Sequence, residues 1–437
     1  MAQDRDVIAS KWMFYLREMA HRMWFRASLY CALAIGTVLI SPLANSWVPG
    51  HWATVLGASS IDSILNILAS SMLAVTTFSL TTVVSAFATA SSSTTPRATK
   101  LLIENADVHS ALATFLGAFL YAIVGIVALS TDIYADGGRV VLFGVTVLVI
   151  VLITVTLLRW IDQISHLGRV GETVNLVEST TRESLIRRAR QPYLGGQPYE
   201  QSPVAGTHIN TLLVGYVQYV DMGKLQALAE QYQCRIHLES EPGEFLVPGQ
   251  PLVSVDTAPA EALCQAVRAA IVIGDARTYH QDPRLGLIVL NEIAIRALSP
   301  AINDPGTAID VIGTCVRLLH TWAEERQLAS TAVAMQEQHQ PRGFQPEYDR
   351  IYVRALAEED FFRDVFVPIS RDGAAFVEVG IWLQKALYGL QGCGFAPFHG
   401  LALAFAEQAL ARCQHAMSAE QDIAAVTEHF RKLKVDR

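Results

Sequence analysis

Charge is scarce in this sequence. Only 17% of its 437 residues are Asp, Glu, Lys or Arg, against about a quarter in an ordinary soluble domain. The formal net charge is −8, which argues against nucleic acid as a partner, because neutralising phosphate needs a basic surface. Cysteine is sparse too: Cys31, Cys234, Cys264, Cys315, Cys393 and Cys413 include no CxxC pair. That spacing supports neither a zinc site nor a disulfide framework, and the five in the C-terminal half are expected as buried thiols of a reducing compartment. A P-loop, a GxSxG elbow and an HExxH helix are all missing, so no enzyme class and no cofactor are supported. His280 and Asp282 are the nearest approach to a metal pair, but no third ligand sits at a supporting spacing.

What the sequence has instead is long apolar runs, all within the first 160 residues. A helix needs about 20 apolar residues to cross a bilayer core. Four spans are expected, at about 27–48, 61–88, 108–129 and 140–160. None carries a charged residue near its centre, since Asp62, Asp107 and Asp132 lie at ends. This argues against a proton-coupled pump, which needs a buried titratable group. Lys11, Arg17, Arg22 and Arg26 precede the first span, Arg97 and Lys100 separate the second from the third, and Arg159 and Arg169 follow the fourth. The positive-inside rule then puts both termini in the cytosol. Residues 1–26, with Trp12, Leu16, Met19 and Met23 at helical spacing, are expected as an interfacial helix on the cytosolic leaflet.

Span two differs from the others. Asn66, Ser70, Thr77, Thr81 and Ser85 fall on one helical stripe. Hydroxyls bond back to their own helix at little cost, so such a stripe serves close helix packing. Around an oligomer axis it would line a path instead. Both readings stay open on the sequence.

Beyond residue 160 a stalk and linker are expected over 161–206, with span four continuing as a helix through Arg190. Residues 207–256 alternate as short strands, and 257–437 read as mainly helical, with a polar linker near Gln336–Tyr348. The densest polar segment holds Arg277, Thr278, Gln281, Asp282, Glu292, Arg296, Asn303, Asp304 and Thr307. Leu285–Leu298 is expected as a helix. Asp304 and Pro305 suit the N-cap and first position of the next, which should run to about Glu325. Helix capping explains most of these groups. A ligand site is the alternative, with Arg277, Arg296 and an exposed helix N-terminus holding an anion. Near the C-terminus Leu383–Leu390 and Leu401–Ala411 should be helices separated at His399-Gly400, with Phe395–Phe398 a packed turn.

The run PGEFLVPGQPLVSV, Pro242–Val255, resembles the half-motif of barrel-sandwich hybrid domains, the fold of biotinyl and lipoyl carriers. Carriers bear a modified lysine after that strand; here the place reads Asp256-Thr257-Ala258-Pro259, so a carrier role is not implied. Thr77–Leu80, Ser92–Arg97, Phe115–Tyr121, Gly215–Gln218, Pro242–Leu252 and above all Ile293–Ile309 (IAIRALSPAINDPGTAI) resemble a family of bacterial predicted inner-membrane proteins of unknown function. The resemblance implies four spans and a cytosolic C-terminal domain, and no activity. The expected fold class is therefore a membrane α-helical N-terminal half joined to an α+β cytosolic domain. The expected function is an oligomeric channel or permeation protein of the inner membrane whose cytosolic domain gates or assembles it. A scaffold or ligand-sensing protein is the second expectation. The bilayer, further copies of the chain and a small-molecule or ion effector are the expected partners.

Overall fold

The computed structural model describes residues 28–33, 35–36, 58–103, 106–131, 136–199, 206–339 and 346–435. The expected interfacial helix at 1–26 lies outside them. So does most of the first expected span, of which residues 28–33 and 35–36 are helical. The chain divides into two compact units, one holding residues up to Ser93 with Thr99–Glu172, the other Thr94–Ala98 with Thr173 onward.

The first unit is built from α1 (Ala58–Ser93), α3 (Ala106–Ser130) and α4 (Asp136–His166); the short α2 (Pro96–Ile103), between the first two in sequence, begins in the second unit and ends in the first. Three stretches are long and apolar enough to cross a membrane: Ser60–Ser93, Asp107–Ser130 and Gly138–His166. At 1.5 Å per residue, the 36 residues of α1 span roughly 54 Å. That exceeds a hydrocarbon core of about 30 Å, so α1 is longer than a straight crossing needs.

Period-3.6 seams hold these helices together. Ile61, Leu65, Leu68 and Met72 of α1 are buried with Val108, Leu112, Phe115 and Ala122 of α3 and with Leu142, Val149, Ile153 and Trp160 of α4. Small residues allow close approach: a Cβ on Gly125 would stand 3.0 Å from Leu65 Cδ1. Two polar pins cross the seams. The Tyr121 hydroxyl and Thr146 Oγ1 lie 3.0 Å apart, and Trp160 Nε1 donates to Ser79 Oγ at 2.9 Å. Tyr121→Phe is expected to cost about 0.6 kcal/mol, the mean for an interhelical hydrogen bond in a membrane, read as a lower unfolding midpoint in detergent. An unchanged midpoint would show that the pin contributes nothing.

The helix expected to run unbroken from span four to Arg190 is interrupted. α4 ends at His166, and α5 (Val170–Arg190) begins afresh. Gly168 supplies the break with φ +85°, and a Cβ there would lie 3.2 Å from the Ala86 carbonyl oxygen. A left-handed backbone pressed against another backbone favours glycine.

The second unit carries two sheets. β1 (Gln197–Pro198), β2 (Thr207–Asn210), β4 (Ile236–Leu238), β6 (Pro251–Val255) and β8 (Ile351–Val353) form one, in the order β1-β8-β4-β6-β2. β3 (Gly215–Val220), β5 (Phe245–Leu246) and β7 (Ile271–Gly274) form the other, in the order β5-β3-β7. β8 pairs in parallel with both β1 and β4, and the remaining pairs are antiparallel. The strands expected over 207–256 are thus shared between two sheets and completed from outside that range by β1, β7 and β8. Val217, Val220, Ile236, Leu238, Val253 and Val255 share one core with α6 (Met222–Gln231) and α7 (Glu261–Arg268).

The rest is helical: α8 (Pro283–Leu298), α9 (Pro305–His339), α10 (Glu358–Asp372), α11 (Val377–Gln391), α12 (Ala396–Ala416) and α13 (Glu420–Val435). α9 outruns the expected end at Glu325 and enters the expected linker. α12 passes straight through His399-Gly400, where no atom lies within 4 Å of an added Cβ. A glycine there is an exposed helical residue and not a break. Phe398 sits in that helix, fully buried, 5.0 Å from the Phe362 ring in an edge-on contact. Of the five C-terminal cysteines, Cys234, Cys315 and Cys413 are buried as expected, whereas Cys264 and Cys393 are half-buried.

Candidate functional site

The polar stripe of span two lies on α1. Asn66, Ser70, Thr77, Thr81 and Ser85 are all exposed, on faces not used by the seam with α3 and α4. Most are bonded to their own helix. Asn66 Nδ2 donates to Asp62 O at 2.9 Å, Ser70 Oγ to Asn66 O at 2.9 Å, Thr77 Oγ1 to Leu73 O at 2.9 Å and Thr81 Oγ1 to Thr77 O at 3.0 Å. Each back-bond satisfies a donor and leaves oxygen lone pairs free to accept. Thr81, Thr82, Ser85 and Thr89 also line, with Ile164 of α4 and the following Leu167, a groove of about 400 Å³.

The second set of candidates lies in the other unit, and the structure divides it. The first group sits before α8. Asp282 caps that helix, accepting from Leu285 N at 3.3 Å, with Pro283 in the first turn. The expected start at Leu285 was therefore late. Arg277 grips the same carboxylate with Nε at 2.6 Å and Nη2 at 2.9 Å, and Asp282 is only 2% exposed. Gln281 exchanges two hydrogen bonds with the Val220 backbone, at 2.8 and 3.1 Å, and Thr278 Oγ1 donates to Gln218 O at 2.9 Å. Both tie the segment to β3. Gly243, from the PGEF turn, packs on the ion pair, since a Cβ there would meet Asp282 Oδ2 at 2.3 Å.

Glu292 lies further along α8 and pairs with Arg97. Arg296 stands in the last turn, where Ser299 Oγ donates to its carbonyl at 2.7 Å. The remaining group caps α9. Asp304 accepts from Thr307 N at 3.1 Å and from Thr307 Oγ1 at 2.6 Å. These bonds hold its carboxyl below the usual carboxylate range. Asn303, just before, takes φ +53°. α8 is 16 residues long, so its ends are about 24 Å apart. Arg277 and Arg296 cannot share one anion, and the expected joint site does not form.

Sequence reasoning missed the partners around the first group. Arg284 reaches Asp364 with Nε at 2.7 Å and Asp360 with Nη1 at 2.9 Å. Glu239, Glu241, Glu244, Arg277, Arg284 and Arg354 line a polar cavity of about 380 Å³. Burial pushes the Glu241 carboxyl up, against the pull of Arg188. Among the described residues no group of three or more His, Cys, Asp or Glu is placed to hold a metal ion.

An uncharacterized protein of Mycobacterium bovis and one of Mycobacterium tuberculosis are each 28% identical to this chain over 262 residues, covering 56% of it and 48% of the relative. The chain thus spans about half the length of these relatives. No solved structure matches it. The family described as predicted membrane protein (DUF2254) matches residues 20–389, and this membrane chain, with its three apolar helices and its helical and stranded C-terminal unit, belongs to that family.

Proposed function

We propose that this membrane protein is an oligomeric permeation protein of the bacterial inner membrane. In it, the polar stripe of α1 faces a path shared between copies. The observation that carries this reading is the exposure of the stripe: Asn66, Ser70, Thr77, Thr81 and Ser85 are all left exposed among the described residues. A hydroxyl row left unpacked in lipid brings no gain to the monomer. Turned to a common axis, its free lone pairs would replace part of the hydration of a passing ion or solute. The expected span at 27–48 completes a four-helix subunit. The basic residues flanking the spans favour a cytosolic C-terminal domain, where it would gate or assemble the oligomer. The PGEFLVPGQPLVSV module, read as barrel-sandwich-like, serves there as a structural element.

The test is ion flux into liposomes carrying the purified protein. Wild type is expected to conduct, and Thr81→Leu to reduce flux at least about tenfold by removing a lining oxygen and narrowing the path. Equal flux in both proteins would remove α1 from the path. A stable monomer in mild detergent would remove the oligomer.

A second reading, a ligand-sensing membrane scaffold, is favoured by the charged cavities of the C-terminal unit. It predicts ligand binding without flux.

A further inference from the structure

The strand module of the C-terminal unit ends in an exposed apolar tip. Leu212, Leu213 and Val214, in succession between β2 and β3, are 67, 58 and 60% exposed. Phe245 of β5 and Val247 just after it are 51% and 43% exposed. Leu246 between them is buried in the core, so alternation sends Phe245 and Val247 out on the opposite face. The two segments lie side by side. Gly215 pairs with Leu246 and Tyr216 with Phe245 in antiparallel register, which carries Val214 to the side of Val247. Beyond them Gly249 N donates to Thr211 O at 3.0 Å and Thr211 N to Gln250 O at 2.9 Å. Backbone bonds fix the tip's shape. Pro248 and Gly249, the latter at φ +95°, close a turn in which Gln250 N donates to Val247 O at 3.1 Å and Val247 N to Gln250 Oε1 at 2.8 Å. Leu213 N donates to Thr211 Oγ1 at 3.0 Å.

Apolar side chains exposed singly are ordinary. Five large ones on adjoining turns mark a surface that meets another. A protein partner is the poorer fit. Standard protein interfaces use about 20–30 residues a side and about one hydrogen bond per 100–200 Å², and these five side chains offer neither the extent nor a donor. A lipid surface needs no matching shape, and it takes aliphatic and aromatic side chains at the boundary of headgroups and acyl chains. It is also at hand. The same chain carries three helices long and apolar enough to cross a membrane, and covalent linkage makes the effective concentration of bilayer high. A contact too small to recruit a free protein then suffices. The sequence holds no Lys or Arg over 207–223 or 236–267. Around the tip stand Glu244, next to Phe245 in sequence, and Arg268, whose Nε donates to Asn210 O at 3.0 Å. One charge of each sign gives no bias toward anionic headgroups, so the apolar side chains carry the attraction.

We propose that this tip is a membrane-surface contact, dipping Leu212, Leu213, Val214, Phe245 and Val247 into the headgroup boundary of a bilayer. The inference rests on neither the α1 stripe nor any flux through the membrane.

Leu213→Trp in the full-length protein tests this, in nanodiscs of phosphatidylcholine with plain or brominated acyl chains. Emission is read as the difference from wild type in the same discs. Brominated lipid should quench the added emission at least about twofold. Ala227→Trp, exposed on α6 beyond the far end of β3, should keep its added emission. Joining Val247→Glu to Leu213→Trp should remove most of the quenching, because a carboxylate at the tip resists entry into lipid. Both positions are exposed, so the fold is retained, and an unchanged melting midpoint checks this. The proposal is overturned if the added emission of Leu213→Trp is unquenched, if Ala227→Trp is quenched as strongly, or if Val247→Glu leaves the quenching unchanged. Crosslinking of Leu213→Cys between copies, in place of quenching, would overturn it in favour of a protein interface.

Discussion

Gly286→Ala is expected to destabilise the C-terminal unit by about 1–3 kcal/mol, the range for overpacking a tight core. An ideal Cβ on Gly286 would stand 1.7 Å from Thr181 Oγ1 and 2.6 Å from Thr181 Cβ and Cγ2. Thr181 cannot step aside easily. It is fully buried, its hydroxyl donates to Val177 O at 2.5 Å, and branching at Cβ restricts its rotamers. The remaining response is to part α5 from α8, which opens the packing around Leu185 and Leu290, both buried. In a unit of this size each kcal/mol lowers the melting midpoint by roughly 2–4 °C. Adding Thr181→Ala to Gly286→Ala should recover part of the loss, because the clash needs both side chains. A melting midpoint of Gly286→Ala within one degree of wild type would mean that α5 and α8 do not approach this closely.

That contact also shows how far the sequence could be read. α5 turns an inward face at Val174, Val177, Thr181, Ser184, Leu185 and Arg188, which is one helical period throughout. Its first half is apolar and was legible. The second half carries Ser184 and Arg188 at core positions, which a pattern of apolar residues does not mark as buried. Arg187 and Arg190 do face solvent; only their spacing relative to Val177 separates them from Arg188.

The caps were legible for a different reason. Asp304-Pro305 carries a local signal, a side-chain acceptor followed by a residue without an N–H, and the helix begins there as expected. Asp282-Pro283 carries the same signal, and weighing it equally would have started α8 correctly. Strand pairing had no such local mark. β4 meets β8 across more than 100 residues of chain, with Ile236 opposite Ile351, and three-residue strands hold too little pattern to specify a parallel partner that distant. The division of the polar segment was equally hidden, because sequence proximity does not reveal that a whole helix separates Arg277 from Asp304.

Asp282→Ala should have the largest effect of any single change in the C-terminal unit. The carboxylate holds three things at once: both Arg277 bonds, the Leu285 N–H at the start of α8, and part of the field that keeps the buried Arg188 charged. Truncating one partner of a buried ion pair costs about 3–5 kcal/mol, chiefly because the other charge stays behind unpaired, and a lost N-cap adds about 1 kcal/mol. Arg277 is itself 18% exposed, so some of its charge can be rehydrated and the lower end of that range applies. The consequence should reach the PGEF turn, since Gly243 rests on the pair and loses its support when the pair collapses. Arg277→Met should cost less than Asp282→Ala, because Asp282 retains its capping bond. The double variant should be less unstable than the sum of the two, with a coupling of roughly 1–3 kcal/mol in denaturant unfolding. Strict additivity would mean that Asp282 stabilises the unit through the helix cap alone and that the ion pair is incidental to it.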